Sequence, residues 1–127
     1  MYPRVLSLQV DPTWIQGTLP KELNGTLLRN APGLFEYGQT TLDHPFDGDG
    51  LLFKFVFSEG RVHVVNRFVR TKEFLDEQAA GQFIYRSAFS AGLKEGEWFV
   101  PLSEATKVKN PANTNVIYWG GKVRFCY

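Results

Sequence analysis

The segment Leu51-Leu52-Phe53-Lys54-Phe55-Val56-Phe57 decides the fold class. Its phenylalanines occupy alternate positions and therefore share one face of an extended strand, while Lys54 lies on the opposite face. Ser58-Glu59-Gly60 follows as a three-residue turn, because glycine adopts positive φ without steric cost. The next segment, Arg61–Arg70, alternates again. Together the two segments predict an antiparallel β-hairpin whose phenylalanine face is buried.

Outward from this hairpin, the sequence predicts two further β-elements. Val116–Trp119 and Lys122–Tyr127 flank Gly120-Gly121, which is a two-residue turn signal and indicates a second hairpin. Gly25–Arg29 predicts a shorter strand, which we expect to end at the breaker cluster Asn30-Ala31-Pro32-Gly33. Short antiparallel strands with long connections are typical of an all-β sheet, a barrel or a propeller.

One helix is expected between the two hairpins. Thr71 is a good N-cap residue, Lys72–Ala80 contains good helix formers, and Gly81 is a natural C-terminal stop. Residues 82–115 are expected to be mixed loop, with one strand around Phe83 to Tyr85.

Composition and charge narrow the class of protein. The chain has 127 residues, enough for one domain, and 15% of them are aromatic. The net charge of +1 gives no electrostatic reason to bind nucleic acid. The N-terminal residues lack a signal-peptide pattern, and no apolar stretch approaches the length of a membrane span. The lone cysteine, Cys126, excludes an internal disulfide and is expected to be a core residue. We therefore expect a cytoplasmic protein.

The densest polar cluster is Asp43–Gly50, which contains three carboxylates and one imidazole. Such a cluster can chelate a metal, but no starting position satisfies the calcium EF-hand pattern. Asp-Gly-Asp-Gly is also an ordinary tight-turn sequence, because Asp bonds its own backbone and Gly supplies positive φ. We therefore interpret Asp47 and Asp49 as turn residues.

Two segments between the helix and the second hairpin leave alternatives open. Lys109–Asn115 is asparagine-rich and is expected to be a loop that leads into the Val116 strand. A second set of apolar residues either caps the core, which composition favours, or is exposed to a lipid or a partner. This set comprises Phe89, Leu93, Trp98 and Phe99.

Taken in chain order, five motifs of this sequence resemble the opening of the carotenoid cleavage oxygenases, with bacterial apocarotenoid oxygenases as the most similar type. The resemblance runs from about Gly17 to about Trp119 and departs from the family pattern at Ala31, where a glycine is usual. The motifs are Gly17-Thr18-Leu19-Pro20, Leu23–Gly33, His44–Gly50, Arg67-Phe68-Val69-Arg70-Thr71 with Glu77 behind it, and Lys109–Asn115.

The resemblance implies a seven-bladed β-propeller, of which residues 1–127 would form a single incomplete domain. This domain would contain the N-terminal strands, one to two incomplete blades, a short helix and long loops. It also implies a non-haem Fe(II) held by four histidines, at which O₂ cleaves a polyene double bond of a carotenoid or apocarotenoid into two carbonyl products. Imidazole is a suitable ligand for iron. His44 and His63 are the only histidines and match no ligand position, so the iron ligands are expected outside this chain.

The resemblance also assigns roles to individual residues. Thr114 matches a threonine whose methyl group lies beside the iron. Phe46, Phe89 and Tyr127 match positions that line the substrate tunnel. The region Phe83–Phe99 matches an apolar patch that faces the membrane, which implies peripheral membrane contact. The membrane-facing residues would be Phe89, Leu93, Trp98 and Phe99.

A second hypothesis remains open. Because the expected iron ligands are missing and strand edges are left unpaired, this chain would then be a truncated, non-catalytic product that acts at most as a binding or interaction module.

Overall fold

A computed structural model describes residues 6–89 and 108–126 of the chain. Within these residues the chain is mostly β-structure with one α-helix. The elements, in chain order, are β1 (Ser7–Gln9), a short 3-10 helix (Pro12–Trp14), β2 (Gly25–Leu34), β3 (Glu36–Tyr37), β4 (Thr40–Thr41), β5 (Asp49–Ser58), β6 (Arg61–Phe68), α1 (Lys72–Ala80), β7 (Asn115–Trp119) and β8 (Lys122–Cys126).

The main sheet has four antiparallel strands in the order β1-β6-β5-β2. The hairpin predicted from alternating phenylalanines is confirmed as β5 and β6, with Phe55 opposite Val64. The phenylalanine face is only half-buried, although the rings of Phe53 and Phe55 stack with their centroids 6.2 Å apart. The period-2 pattern therefore predicted the strand correctly but overstated its burial.

Strand β2 is twice as long as the sequence predicts. Instead of ending at Asn30, it continues to Leu34, because the long partner strand β5 pairs with it as far as Asp49. A register shift between Pro32 and Leu34 accommodates the proline, which lacks a backbone N–H for the ladder. Ala31 pairs with Leu51 in this extended strand, so the alanine is not strained there.

The predicted helix is confirmed with its caps. The Thr71 hydroxyl accepts a hydrogen bond from the Phe74 backbone N–H at 3.0 Å, and Gly81 ends the helix in the left-handed conformation at φ 68°. The helix buries Phe74 and Glu77, which lie one turn apart on the same face. Phe74 belongs to a small core with Leu34 and Tyr37, against which Phe68 and Phe83 pack.

The strand expected around Phe83 to Tyr85 is not present. The backbone N–H groups of Ile84 and Tyr85 donate to the carboxylate of Glu77 instead of to a neighbouring strand. The nearest β-interaction is a single parallel bridge between Arg86 and Val108. A side-chain acceptor therefore replaces the expected ladder.

The second hairpin is confirmed as β7 and β8, with Gly120 and Gly121 in the turn at φ 59° and 74°. This hairpin carries large exposed side chains, including Trp119, which is 73% exposed. Cys126 is also exposed, so the expectation that it is a core residue is wrong. The reason is its place in β8, which pairs only with β7 in a two-stranded sheet of the described residues.

Candidate functional site

A buried ion triad joins two motifs that the sequence presents as separate turns. The Lys109 ammonium lies 2.8 Å from Asp49 Oδ2 and 2.5 Å from Glu77 Oε2. The side chains of Lys109, Asp49 and Glu77 are 2%, 1% and 0% exposed. We call these three residues the buried triad. It ties the start of β5, the helix α1 and the chain that precedes β7 to one another.

The charges of the buried triad do not balance. Two carboxylates face one ammonium, and Asp49 Oδ1 is buried without a hydrogen-bond partner among the described residues. Burial raises the pKa of Asp49 to about 6, although the Lys109 charge opposes that rise, and Glu77 adds to it by like-charge repulsion. Asp49 is therefore a carboxylate that can change its charge near neutral pH.

The Asp-Gly-Asp-Gly motif does not behave as a free turn. Asp47 is buried, and its Oδ1 accepts hydrogen bonds from the backbone N–H groups of Ala88 at 3.1 Å and Phe89 at 3.2 Å. Asp49 lies in β5 and belongs to the buried triad. The interpretation as a turn residue is confirmed for Asp47, whose backbone N–H donates to the His44 carbonyl at 3.1 Å, although its side chain also binds distant backbone. It is wrong for Asp49, which lies in β5 and pairs with a lysine 60 residues away.

Residues 109–113, which we call the anchored segment, are held along their whole length. Asn113 is buried and donates to the carbonyl oxygens of Phe46 at 2.6 Å and Gly48 at 2.7 Å. The Gly50 N–H donates to the Pro111 carbonyl at 2.7 Å. A side chain at position 50 would overlap the carbonyl of Ala112, so only glycine permits this close approach.

Thr114 follows the anchored segment directly and precedes β7. Thr114 is exposed, and its hydroxyl donates a hydrogen bond to the Cys126 carbonyl at 2.8 Å. This bond links the start of β7 to the end of β8 and orients the Thr114 side chain. The role assigned to the Thr114 methyl group by resemblance stays a prediction.

Two of the expected tunnel residues lie together. Phe46 and Phe89 are 58% and 62% exposed, and their ring centroids are 6.0 Å apart. The His44 ring stacks on Phe89 at 4.4 Å and meets Phe46 edge-on at 5.3 Å. Composition favoured a core position for Phe89, and its exposure shows that this expectation is wrong. The other members of the predicted tunnel and membrane sets, Tyr127, Leu93, Trp98 and Phe99, lie outside the described residues.

The described residues do not form an iron site of their own. In the ranges 6–89 and 108–126, no group of three or more His, Cys, Asp or Glu side chains is placed to hold a metal ion. His44 contacts aromatic rings, and His63 Nε2 lies 3.3 Å from the Ser7 hydroxyl. A four-histidine iron centre therefore does not fit the residues that the structure describes. No helix in this part of the chain has the length and apolar character needed to cross a membrane.

One feature of the sequence could have indicated the buried triad but was not used in the sequence analysis. Glu77 lies one helical turn from Phe74 on the buried face of α1, and a carboxylate on an apolar helix face requires a partner. Nothing local identifies Lys109 as that partner, since it lies 32 residues away.

Comparisons with known proteins agree with the fold. Residues 4–126 match the family model described as retinal pigment epithelial membrane protein. Over 110 residues, or 86% of the chain, the sequence is 46% identical to apocarotenoid-15,15'-oxygenase of Synechocystis sp., of which it covers 22%. Over 112 residues, again 86% of the chain, it is 30% identical to carotenoid cleavage oxygenase 1 of Neurospora crassa, of which it covers 19%.

Solved structures give the same result. A glutamate-to-glutamine variant of Synechocystis apocarotenoid oxygenase superposes on 96% of this chain with a TM-score of 0.82 and 42% identity. The cobalt-substituted form of that enzyme gives a TM-score of 0.81. The chain spans 25% of each of these structures, and therefore only a minor part of the relatives that it matches.

Proposed function

Because the chain belongs to the retinal pigment epithelial membrane protein family of carotenoid oxygenases, we propose that it is the N-terminal part of a non-haem iron dioxygenase that cleaves a carotenoid or apocarotenoid. The carrying observation is the match over residues 4–126, together with 46% identity to an apocarotenoid oxygenase. The mostly β architecture with one helix is consistent with a fragment of a propeller-type fold.

In this proposal the iron ligands come from residues outside the chain. When bound, iron supplies the activation of O₂ for cleavage of the polyene double bond. The described residues supply the surroundings: Thr114 beside the metal and Phe46 with Phe89 along the substrate path. Exposed aromatic rings suit a polyene, because they offer apolar contact area without polar groups that need a partner.

The same aromatic surface supports a proposed contact with the membrane. Phe89 is 62% exposed, and a carotenoid substrate is delivered most directly from a lipid phase. We call the protein as its source cells make it the naturally produced protein. Its co-sedimentation with phosphatidylcholine vesicles should weaken in the Phe89→Ser variant. Unchanged co-sedimentation would count against a contact through Phe89.

Iron analysis and product analysis test the proposed function. The naturally produced protein, reconstituted with Fe(II), should hold one iron per chain and convert an apocarotenal with O₂ into two carbonyl products, as separated by chromatography. A polypeptide limited to residues 1–127 should bind no stoichiometric iron. Failure of the naturally produced protein to bind iron and to form products would refute the proposal.

A second candidate function is a non-catalytic interaction module. The observation in its favour is the exposed apolar surface of the β7–β8 hairpin, where Tyr118 is 69% and Trp119 is 73% exposed. Under this alternative the naturally produced protein lacks iron and cleavage activity, so the same measurements separate the two functions.

A further inference from the structure

We propose that the buried triad is a positioning element: its ion pairs fix the path of the anchored segment and thereby the place of the Thr114 side chain. This inference rests on the proposed function, in which the Thr114 methyl group lies beside the iron. Lys109 is the central positioning residue, because it is the first residue of the anchored segment and its ion pairs join that segment to β5 and α1.

Stability alone does not account for the triad. Removing charges from water is costly, and well-packed apolar residues of the same volume are often as stabilising or more so. Here the geometry is also incomplete, since Asp49 Oδ1 has no hydrogen-bond partner within residues 6–89 and 108–126. What three charged groups provide, and three apolar groups do not, is a fixed direction and distance between the elements that carry them.

The anchored segment needs such a fixed point, because it is not part of a sheet. Ala112 has φ 49°, a conformation that non-glycine residues adopt only when their surroundings hold them there. Locally, the Ala112 N–H donates to Asn110 Oδ1 at 2.8 Å. The long-range hold comes from Asn30 Nδ2, which donates to the Ala112 carbonyl at 2.8 Å, and from the short approach of Gly50 to Pro111. Each of these contacts requires the segment in one register, and the Lys109 ion pairs set that register at its start.

The fixed backbone then determines the Thr114 side chain. The Thr114 hydroxyl donates to the Cys126 carbonyl, and a β-branched side chain has few χ1 rotamers. A bonded hydroxyl on a fixed backbone leaves one direction for the methyl group. A shift of the anchored segment would break this bond and release the methyl group into other rotamers.

A charge-free variant separates positioning from simple stabilisation. Asp49→Asn, Glu77→Gln and Lys109→Met together leave no unpaired buried charge, so the fold should persist. In the metal-free, naturally produced protein, the Thr114 methyl NMR signal should shift or split. Hydrogen exchange at the Gly50 amide should accelerate about tenfold or more, while Phe55 and Val64 in the main sheet keep their protection.

Controls keep each outcome decisive. Lys72→Met, which removes an exposed lysine of α1, should leave the Thr114 signal and the Gly50 amide unchanged. If the triple variant does not fold, Asp49→Asn alone keeps the Lys109–Glu77 pair and should give a smaller change of the same kind. A single, unshifted Thr114 signal with unchanged Gly50 protection in whichever variant folds would overturn the positioning role.

Cobalt(II) distinguishes failure of this inference from failure of the proposed function. As a paramagnetic substitute for iron, bound cobalt(II) should shift the Thr114 methyl signal of the wild-type protein. No shift would contradict a metal beside Thr114 and leave the positioning result in the metal-free protein standing. An unaltered Thr114 signal in the metal-free triple variant would contradict positioning and leave the metal site standing.

Discussion

Helix α1 contributes to two lysine–carboxylate pairs, one on its exposed face and one on its buried face, and they differ in almost every physical respect. On the outer face, Lys72 pairs with Asp76 four residues along, and the Lys72 side chain is 69% exposed. On the inner face, the next residue, Glu77, pairs with Lys109 in a fully buried site. The outer pair is local and hydrated, whereas the inner pair is long-range and desolvated. The same kinds of charged group are therefore expected to affect stability very differently in the two pairs, because water screens only the outer pair.

The largest expected effect in this comparison comes from Lys109→Met. Methionine fits the volume but leaves Asp49 and Glu77 buried beside each other without a counter-charge. We expect the opening free energy of this region to fall by about 3 to 5 kcal/mol, as measured by native-state hydrogen exchange at Gly50 and Ile84. A loss below about 1 kcal/mol, the range of exposed pairs, would remove the distinction between the two faces of α1.

Asp49→Asn sharpens the comparison through pH. The pKa of Asp49 is raised from 3.8 to about 6 by burial, so the folded state holds a proton that the unfolded state has lost between these values. The contribution of Asp49 to stability therefore falls as pH rises from about 4 to about 6, by about 3 kcal/mol in total. The Asn variant lacks this titration, so the wild-type protein should gain stability relative to it as pH is lowered from 7 to 4.

Asp11→Asn is the matched control for this titration. Asp11 is exposed and accepts hydrogen bonds from the Thr13 backbone and hydroxyl groups, which lower its pKa. Its contribution is present above the unfolded pKa and is lost as pH falls, which is the opposite sign. Urea midpoints of the wild-type protein and both variants check the two directions, between pH 7 and 4 for Asp49 and below pH 4 for Asp11. If the wild-type and Asp49→Asn urea midpoints changed with pH in parallel, the raised pKa of Asp49 would be contradicted.

The same contrast between local and long-range interactions explains which parts of the fold could be predicted from the sequence. The β5–β6 and β7–β8 hairpins and the helix from Thr71 to Gly81 were predicted correctly, because alternation, glycine turns and caps act over a few neighbouring residues. The extension of β2 past Asn30 was missed, because the partner strand β5 determines it.

The candidate site was less predictable than the fold. Asp49 and Lys109 are 60 residues apart, and no sequence period links them. Their motifs therefore appeared as an acidic turn and an asparagine-rich loop. Only Glu77, on the buried face of α1 beside Phe74, indicated that a buried cation was required.

The Asn113→Ala variant tests whether the stability of the region around the buried triad depends on charge or on hydrogen bonding. The change removes a buried neutral donor and leaves the carbonyl oxygens of Phe46 and Gly48 without it, while the buried triad stays intact. We expect a loss of about 2 kcal/mol in opening free energy at the Gly50 amide, independent of pH between 4 and 7. A loss equal to that of Lys109→Met would show that hydrogen bonds, and not the ion pairs, dominate this region.

The smallest expected effect belongs to Lys72→Met on the outer face. Lys72 lies in water and spends side-chain entropy to meet Asp76, so its removal changes little, and added salt should erase even that difference. Thermal midpoints of the wild-type protein and the variant, measured at low salt and in 1 M NaCl, check this. Because Asp76 keeps its hydrogen bond from the Tyr85 hydroxyl, the helix retains a local tie after the lysine is lost. A large loss in Lys72→Met that persists in high salt would mean that exposure does not separate the two faces of α1. The positioning role inferred for the buried lysine would then lose its matched control.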